Sequence, residues 1–98
     1  MFTDADRIVV MDLEATCDDR GTVPKHEMEI IEIGAVLLEP ECFSVISEHQ
    51  SFVRPGRHPT LTAFCTQLTT ISQADVDAAP RFPEVVIAFK KWMYAHSS

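Results

Sequence analysis

Apolar residues gather in three stretches over the first half of the chain and recur at helical spacing near its end. Arg7 to Leu13 is an almost continuous apolar run, which predicts a strand buried on both faces, as expected of a central strand. Glu29 to Leu38 alternates instead. Ile31, Ile33, Ala35 and Leu37 fall on one face, and Ile30, Glu32, Gly34 and Val36 on the other, before Pro40 ends the strand. Phe43 to Val53 reads as a third strand, with Phe43, Val45, Ser47 and His49 on one face. The connections between the three are short, which makes them antiparallel neighbours.

The segments between and after these strands carry turn and helix signals. Residues 18–25 form a polar turn region, and Arg54-Pro55-Gly56-Arg57-His58-Pro59 is a loop punctuated by two prolines and a glycine. Thr60 to Cys65 reads as a short helical turn. Ser72-Gln73-Ala74-Asp75 has the Ser-x-x-acid form of a helix start, so a second short helix begins there and Pro80 interrupts it. Pro83 suits the first turn of a longer helix. In that helix Phe82, Val85, Val86, Phe89, Trp92 and Met93 recur at i, i+3, i+4 and i+7, a stripe that packs on the sheet. The order β-β-β-α leaves one side of the apolar first strand unpaired. Such an edge invites pairing with another strand, whether from further sequence or from a second copy of the chain.

Composition narrows the class. With 98 residues, 46% of them hydrophobic, the chain has enough apolar material for one small folded domain. No apolar run approaches the ~20 residues of a membrane span, and residues 1–6 do not read as a signal peptide. Cys17, Cys42 and Cys65 are dispersed without metal-site spacing, which points to reduced thiols and a cytoplasmic protein. The net charge of −7 argues against a general nucleic-acid binder. Metal-dependent nucleases depart from that rule, because their site carboxylates count as negative until cations offset them. The basic groups at Arg54, Arg57 and His58, and at Lys90 and Lys91, read as solvated charges.

The first strand ends in Asp12-Leu13-Glu14, two carboxylates spaced i, i+2 and therefore on one face. Side by side they repel, and a divalent cation relieves that repulsion. Oxygen ligands of this kind suit Mg2+ or Mn2+. Taken alone, the spacing also describes an unpaired surface Asp and Glu at a strand end.

Three segments in order resemble a known family. Asp12-Leu13-Glu14-Ala15-Thr16-Cys17 is similar to the first motif of the DEDDh 3′–5′ exonucleases. Within that family the likeness is to the branch that trims histone-mRNA and small-RNA ends, with its bacterial sporulation-inhibitor relatives. Glu29 to Val36 resembles the family's second strand, and His58 to Ile71, followed by Gln73, Val76-Asp77 and Ala79-Pro80, its next signature. The resemblance implies an α/β, ribonuclease H-like fold, here three antiparallel strands followed by helices packed on the sheet. It implies hydrolysis of phosphodiester bonds at the 3′ end of a single-stranded nucleic acid, RNA in this branch, with no membrane partner. Asp12 and Glu14 would be catalytic metal ligands, with Asp12 bridging two Mg2+ or Mn2+ ions about 4 Å apart. Thr16 and the nearby backbone would lie against the terminal nucleotide. Phe64 matches a position whose ring stacks on the terminal base, and it also reads as a side chain buried between helix and sheet.

The same resemblance marks departures. Two further carboxylates and a general-base histidine belong to later motifs that these 98 residues do not contain. Residues 1–98 therefore read as the N-terminal part of a single exonuclease domain whose C-terminal half is absent. Such a piece is expected to bind metal weakly and to hydrolyse nucleic acid poorly or not at all. His58 is assigned to a loop, not to catalysis, and Glu29 and Glu32 to structural or surface roles. Thr70 stands where many relatives have glycine, so a different local backbone is expected there. The alternative function is a non-catalytic module or degenerate fragment that binds a protein or nucleic acid through its exposed edge.

Overall fold

A computed structural model describes residues 7–96. The readings of residues 1–6 and of Ser97 and Ser98 lie outside the described residues. Three strands, β1 (Ile8–Ala15), β2 (Ile30–Leu38) and β3 (Val45–Phe52), form one antiparallel sheet in the order β1-β2-β3. A 3-10 turn (Lys25–Glu27) precedes β2, and three helices follow the sheet: α1 (Ala63–Thr69), α2 (Gln73–Asp77) and α3 (Phe82–Ala95).

The alternating strand is the central one. In β2, Ile31, Ile33, Ala35 and Leu37 are buried while their neighbours are half-buried. Ile33 and Ala35 pack with Val53, Val85 and Phe89, so α3 covers this face of the sheet. Val85 and Phe89 are the buried part of the predicted stripe, Trp92 and Met93 pack beside them, and Phe82 stays exposed. Trp92 Nε1 donates to Ser47 Oγ at 2.9 Å, fixing α3 against β3.

The expectation for β1 is overturned. It is an edge strand with β2 as its one neighbour among the described residues, and Val10 (50% exposed), Met11 (46%) and Leu13 (46%) are open to solvent. A continuous apolar run signals burial on both faces only where something covers both, and α3 lies over β3, at the far side of the sheet.

Smaller differences have local causes. β3 begins at Val45 because Phe43 takes a positive φ of 57° in the turn and leaves the strand. The predicted turn over residues 60–65 is instead a helix from Ala63 to Thr69. Leu61 N–H is held by Gln73 Oε1 at 2.8 Å, and Thr62 caps the helix by accepting from Cys65 N–H at 3.0 Å. Ser72 and Asp75 form the reciprocal capping box of α2. Thr70 adopts φ 64°, ψ 7°, so the left-handed helix end is kept although the residue is threonine.

A second core lies under α1 and α2, where Ile31, Cys65, Ile71 and Val76 are buried together. The β1–β2 register slips between Glu14 and Ala15: Glu14 pairs with Glu32, and Ala15 with Ile30. The extra residue, Ile31, is fully buried in this second core. The bulge thus joins the two cores at the point where β1 ends.

Candidate active site

Asp12 lies opposite Gly34, and Glu14 opposite Glu32. Alternation puts all four on the sheet face that turns away from α3. Asp12 is exposed and borders an open concavity of about 540 Å³, with Val10, Gly34, Val36, Glu48 and Gln50 around it. A Cβ placed on Gly34 would come no closer than 3.8 Å to the Asp12 carbonyl oxygen, an ordinary contact. The backbone therefore does not require glycine here. Gly34 borders the same concavity as Asp12.

Glu32, read as a structural or surface group, directly faces Glu14 across the strands. Like charges in that position destabilise a sheet. Gln50 Nε2 donates to Glu32 Oε2 at 2.9 Å and engages one of the two carboxylates. The register slip and this cross-strand acidic pair are site features that the strand pattern alone did not reveal. Among the described residues no three His, Cys, Asp or Glu side chains converge as a metal-holding group. The donor set present is the Asp12–Glu14 pair, two hard anionic oxygen ligands on one face with space at Gly34. That chemistry fits a hard divalent cation as part of its coordination shell.

Thr16 is a strand-end clasp. It is 2% exposed, its N–H donates to Glu29 O at 2.8 Å, and its Oγ1 accepts from Glu29 N–H at 2.9 Å. The side chain is occupied inside the fold. Glu29 in turn binds the 54–59 loop: its carboxylate accepts from the N–H groups of Gly56 (2.8 Å), Arg57 (2.8 Å) and His58 (3.0 Å). Burial pushes the Glu29 carboxyl up, but these three bonds together outweigh it and hold the group below its ordinary value. His58 Nε2 sits 2.9 Å from Glu27 Oε1, and this contact is the leading cause of the lowered Glu27 carboxyl. Glu29 and His58 thus both take part in hydrogen bonds that hold the 54–59 loop.

Phe64 is half-buried in the first turn of α1, beside a cleft of about 480 Å³ lined by Asp18, Asp19, Arg20, Thr62 and Gln67. This cleft shares no lining residue with the concavity at Asp12. The helix is nonetheless tied to the strand end. Thr62 Oγ1 donates to Cys17 O at 2.6 Å, and Cys65 Sγ contacts Ala15 O at 3.7 Å. Phe64 therefore belongs to a helix bonded to the chain immediately after Glu14.

Residues 9–97 match the RNase_T exonuclease family model, and the chain belongs to that family. It is 40% identical over 89 residues to human ERI1 exoribonuclease 2, covering 91% of this chain and 13% of the relative. A solved nuclease domain of 3′hExo, a DEDDh family member bound to rAMP, superimposes with a TM-score of 0.84 at 38% identity, over 93% of this chain and 45% of that one. A 3′-exonuclease solved in a study of 3′-end-specific recognition of the histone mRNA stem-loop gives a TM-score of 0.84 at 37% identity, over 93% of this chain and 31% of that one. The fold is that of the ribonuclease H-like DEDDh nucleases. The chain spans about an eighth of the human relative and under half of these two solved chains.

Proposed function

We propose that this chain supplies the first part of a 3′–5′ exonuclease domain that removes nucleotides from the 3′ end of RNA. The observation that carries it is the placement of Asp12 and Glu14 on the open sheet face, at the end of a strand tied to the helix that bears Phe64. RNA as substrate is supported by the exoribonuclease among the relatives and by the histone mRNA stem-loop studied with one structural neighbour. The coverage of 45% of a nuclease-domain chain supports assigning this segment to part of a domain. Its three free thiols fit a reducing, cytoplasmic setting.

Asp12 and Glu14 would hold Mg2+ or Mn2+ ions. When bound, two such ions favour an attacking water and stabilise the leaving 3′ oxygen. The Phe64 ring offers a stacking surface for the terminal base, a contribution of roughly 1–3 kcal/mol that tolerates any base. The Thr16 side chain is held inside, so any contact from this position to a nucleotide comes from neighbouring backbone.

The test uses a polypeptide carrying the complete domain and an RNA labelled on its 3′ nucleotide, with and without Mn2+. Metal-dependent release of the labelled nucleotide is expected, with Asp12→Ala slower by about 100-fold or more. Unchanged turnover in Asp12→Ala would remove Asp12 from the metal site and end the proposal.

A further inference from the structure

Two thiols that nuclease chemistry leaves idle meet at the joint between β1 and α1. Cys17 follows β1 by two residues and is half-buried, while Cys65 lies in the first turn of α1 and has no exposed surface. Both side chains pack into the second core beneath α1 and α2. The backbone on both sides is already fixed: Thr62 Oγ1 donates to Cys17 O at 2.6 Å and accepts from Cys65 N–H at 3.0 Å. Ile31, Ile71 and Val76 pack around Cys65, with Cys17 against them. Packing and the shared Thr62 hydroxyl therefore hold the two residues in one neighbourhood, although 47 residues separate them in sequence.

We propose that Cys17 and Cys65 are a redox pair that forms a reversible disulfide between the end of the carboxylate strand and the helix carrying Phe64. The pairing stands on the packing of these two residues and does not require the nuclease assignment.

Cys17 is the member a reagent can reach. Its thiolate attacks one sulfur of a small disulfide such as oxidised glutathione. The glutathione S–S bond breaks, one glutathione thiolate leaves, and a mixed disulfide forms on Cys17. Cys65 then attacks Cys17 Sγ, the bond to glutathione breaks, and the second thiolate leaves. The two cysteines lose two electrons and two protons, and two glutathione thiols are produced. Burial, the Cys65 contact and the charges of Cys65, Glu14 and Asp18 push the Cys17 thiol up to about 11. Little thiolate exists near neutrality, so the first step is slow and accelerates roughly tenfold per pH unit on the way to that value. Cys42 behaves differently. It is exposed, its Sγ lies 3.1 Å from Ser44 Oγ, and its thiol is lowered by that contact. It would react first and obscure the pair, so it is replaced in the test.

The experiment takes the full chain with Cys42→Ser in a glutathione redox buffer at mildly alkaline pH, quenched with acid and weighed by mass spectrometry. The expected product is lighter by two hydrogens, yields a cross-linked peptide pair containing Cys17 and Cys65, and is restored by dithiothreitol. Its equilibrium constant should exceed that of the same chain in concentrated urea by at least about tenfold, because a flexible chain offers only an effective concentration near the millimolar range. Adding Cys65→Ser should arrest the reaction at glutathione on Cys17. The proposal is overturned if both thiols stay free or separately glutathionylated at equilibrium, or if the native chain shows no advantage over urea. Absence of any adduct on Cys17 in the Cys65→Ser chain would overturn the route through Cys17.

Discussion

Asp12 and Glu29 are both carboxylates at the margins of strands, and the fold uses them in opposite ways. Glu29 accepts three backbone N–H groups and pins the 54–59 loop to β2. Hydrogen bonds to a charged group contribute more than neutral ones, so Glu29→Ala should cost about 1–3 kcal/mol in a urea melt at neutral pH. The folded state holds the Glu29 carboxyl below its ordinary value. Its contribution is therefore present above the unfolded carboxylate pKa and fades as pH falls through the folded one. Urea melts repeated at decreasing pH should show the wild-type advantage over Glu29→Ala shrinking across the acid range; a constant gap would show that the carboxylate charge is not what stabilises the loop. Asp12 instead stands exposed beside Glu14 with a glycine opposite. Asp12→Asn removes a like-charge neighbour and should change stability by no more than about 0.5 kcal/mol. In the wild-type chain Mn2+ should broaden the amide NMR signals of residues 12–14 before others, and Asp12→Asn should abolish that preference. Broadening that persists in the variant would place the ion elsewhere. The motif made Asp12 and Glu14 legible from sequence, because strand alternation alone puts them together. Thr16 was less legible. Its burial depends on the reciprocal pair of hydrogen bonds with Glu29, thirteen residues away, which no local pattern reports.

Among the elements, the second strand and the capping box of α2 are readable because their signals are local. The alternation of Ile31, Ile33, Ala35 and Leu37 needs only one covered face, and the Ser72–Asp75 box closes within one turn. The first strand was misread because an apolar run reports what the chain could bury, whereas exposure depends on what lies next to it. The start of α1 was placed too early because Gln73, from the following helix, holds residue 61 outside the helix. Thr70 teaches a different lesson. Threonine adopts positive φ with difficulty, which predicts a different local backbone, yet α1 ends there with φ 64°. The helix end is over-determined: Thr70 N–H donates to Thr66 O at 2.9 Å, and Ile71, the next residue, is buried in the second core. Threonine adopts this conformation at a cost of roughly 1–2 kcal/mol that glycine does not bear. Thr70→Gly should recover about 1 kcal/mol, less than the full strain because glycine is also more flexible when unfolded. A thermal or urea melt in which the glycine variant is less stable would mean that the Thr70 side chain contributes contacts outweighing its strain.

At the scale of the whole molecule, the radius of gyration is 15.6 Å and the extents are 47 × 23 × 22 Å. A compact chain of this length would have a radius of gyration of about 13 Å. The accessible surface is 6404 Å², against about 5,600 Å² expected of a compact protein of its mass. Part of this excess has an address. Among the described residues β1 has no neighbour on its outer side, α3 covers the other end of the sheet, and Val10, Met11 and Leu13 are about half exposed. Unpaired backbone groups flanked by apolar side chains form a template for another strand. We expect the isolated 98-residue chain to self-associate through β1, visible as a concentration-dependent sedimentation coefficient. Lysine on an edge strand opposes such pairing by bringing charge to the new interface. Met11→Lys should therefore suppress association. Its effect on the folding free energy should stay within about 1 kcal/mol, since the side chain is half in water already. A control at the opposite end of the molecule separates edge pairing from general stickiness: Tyr94 is 69% exposed on α3, and Tyr94→Lys should leave the association unchanged. Equal suppression by both variants would mean that net charge governs the association, and a wild-type chain that stays monomeric at high concentration would mean that the edge is already protected.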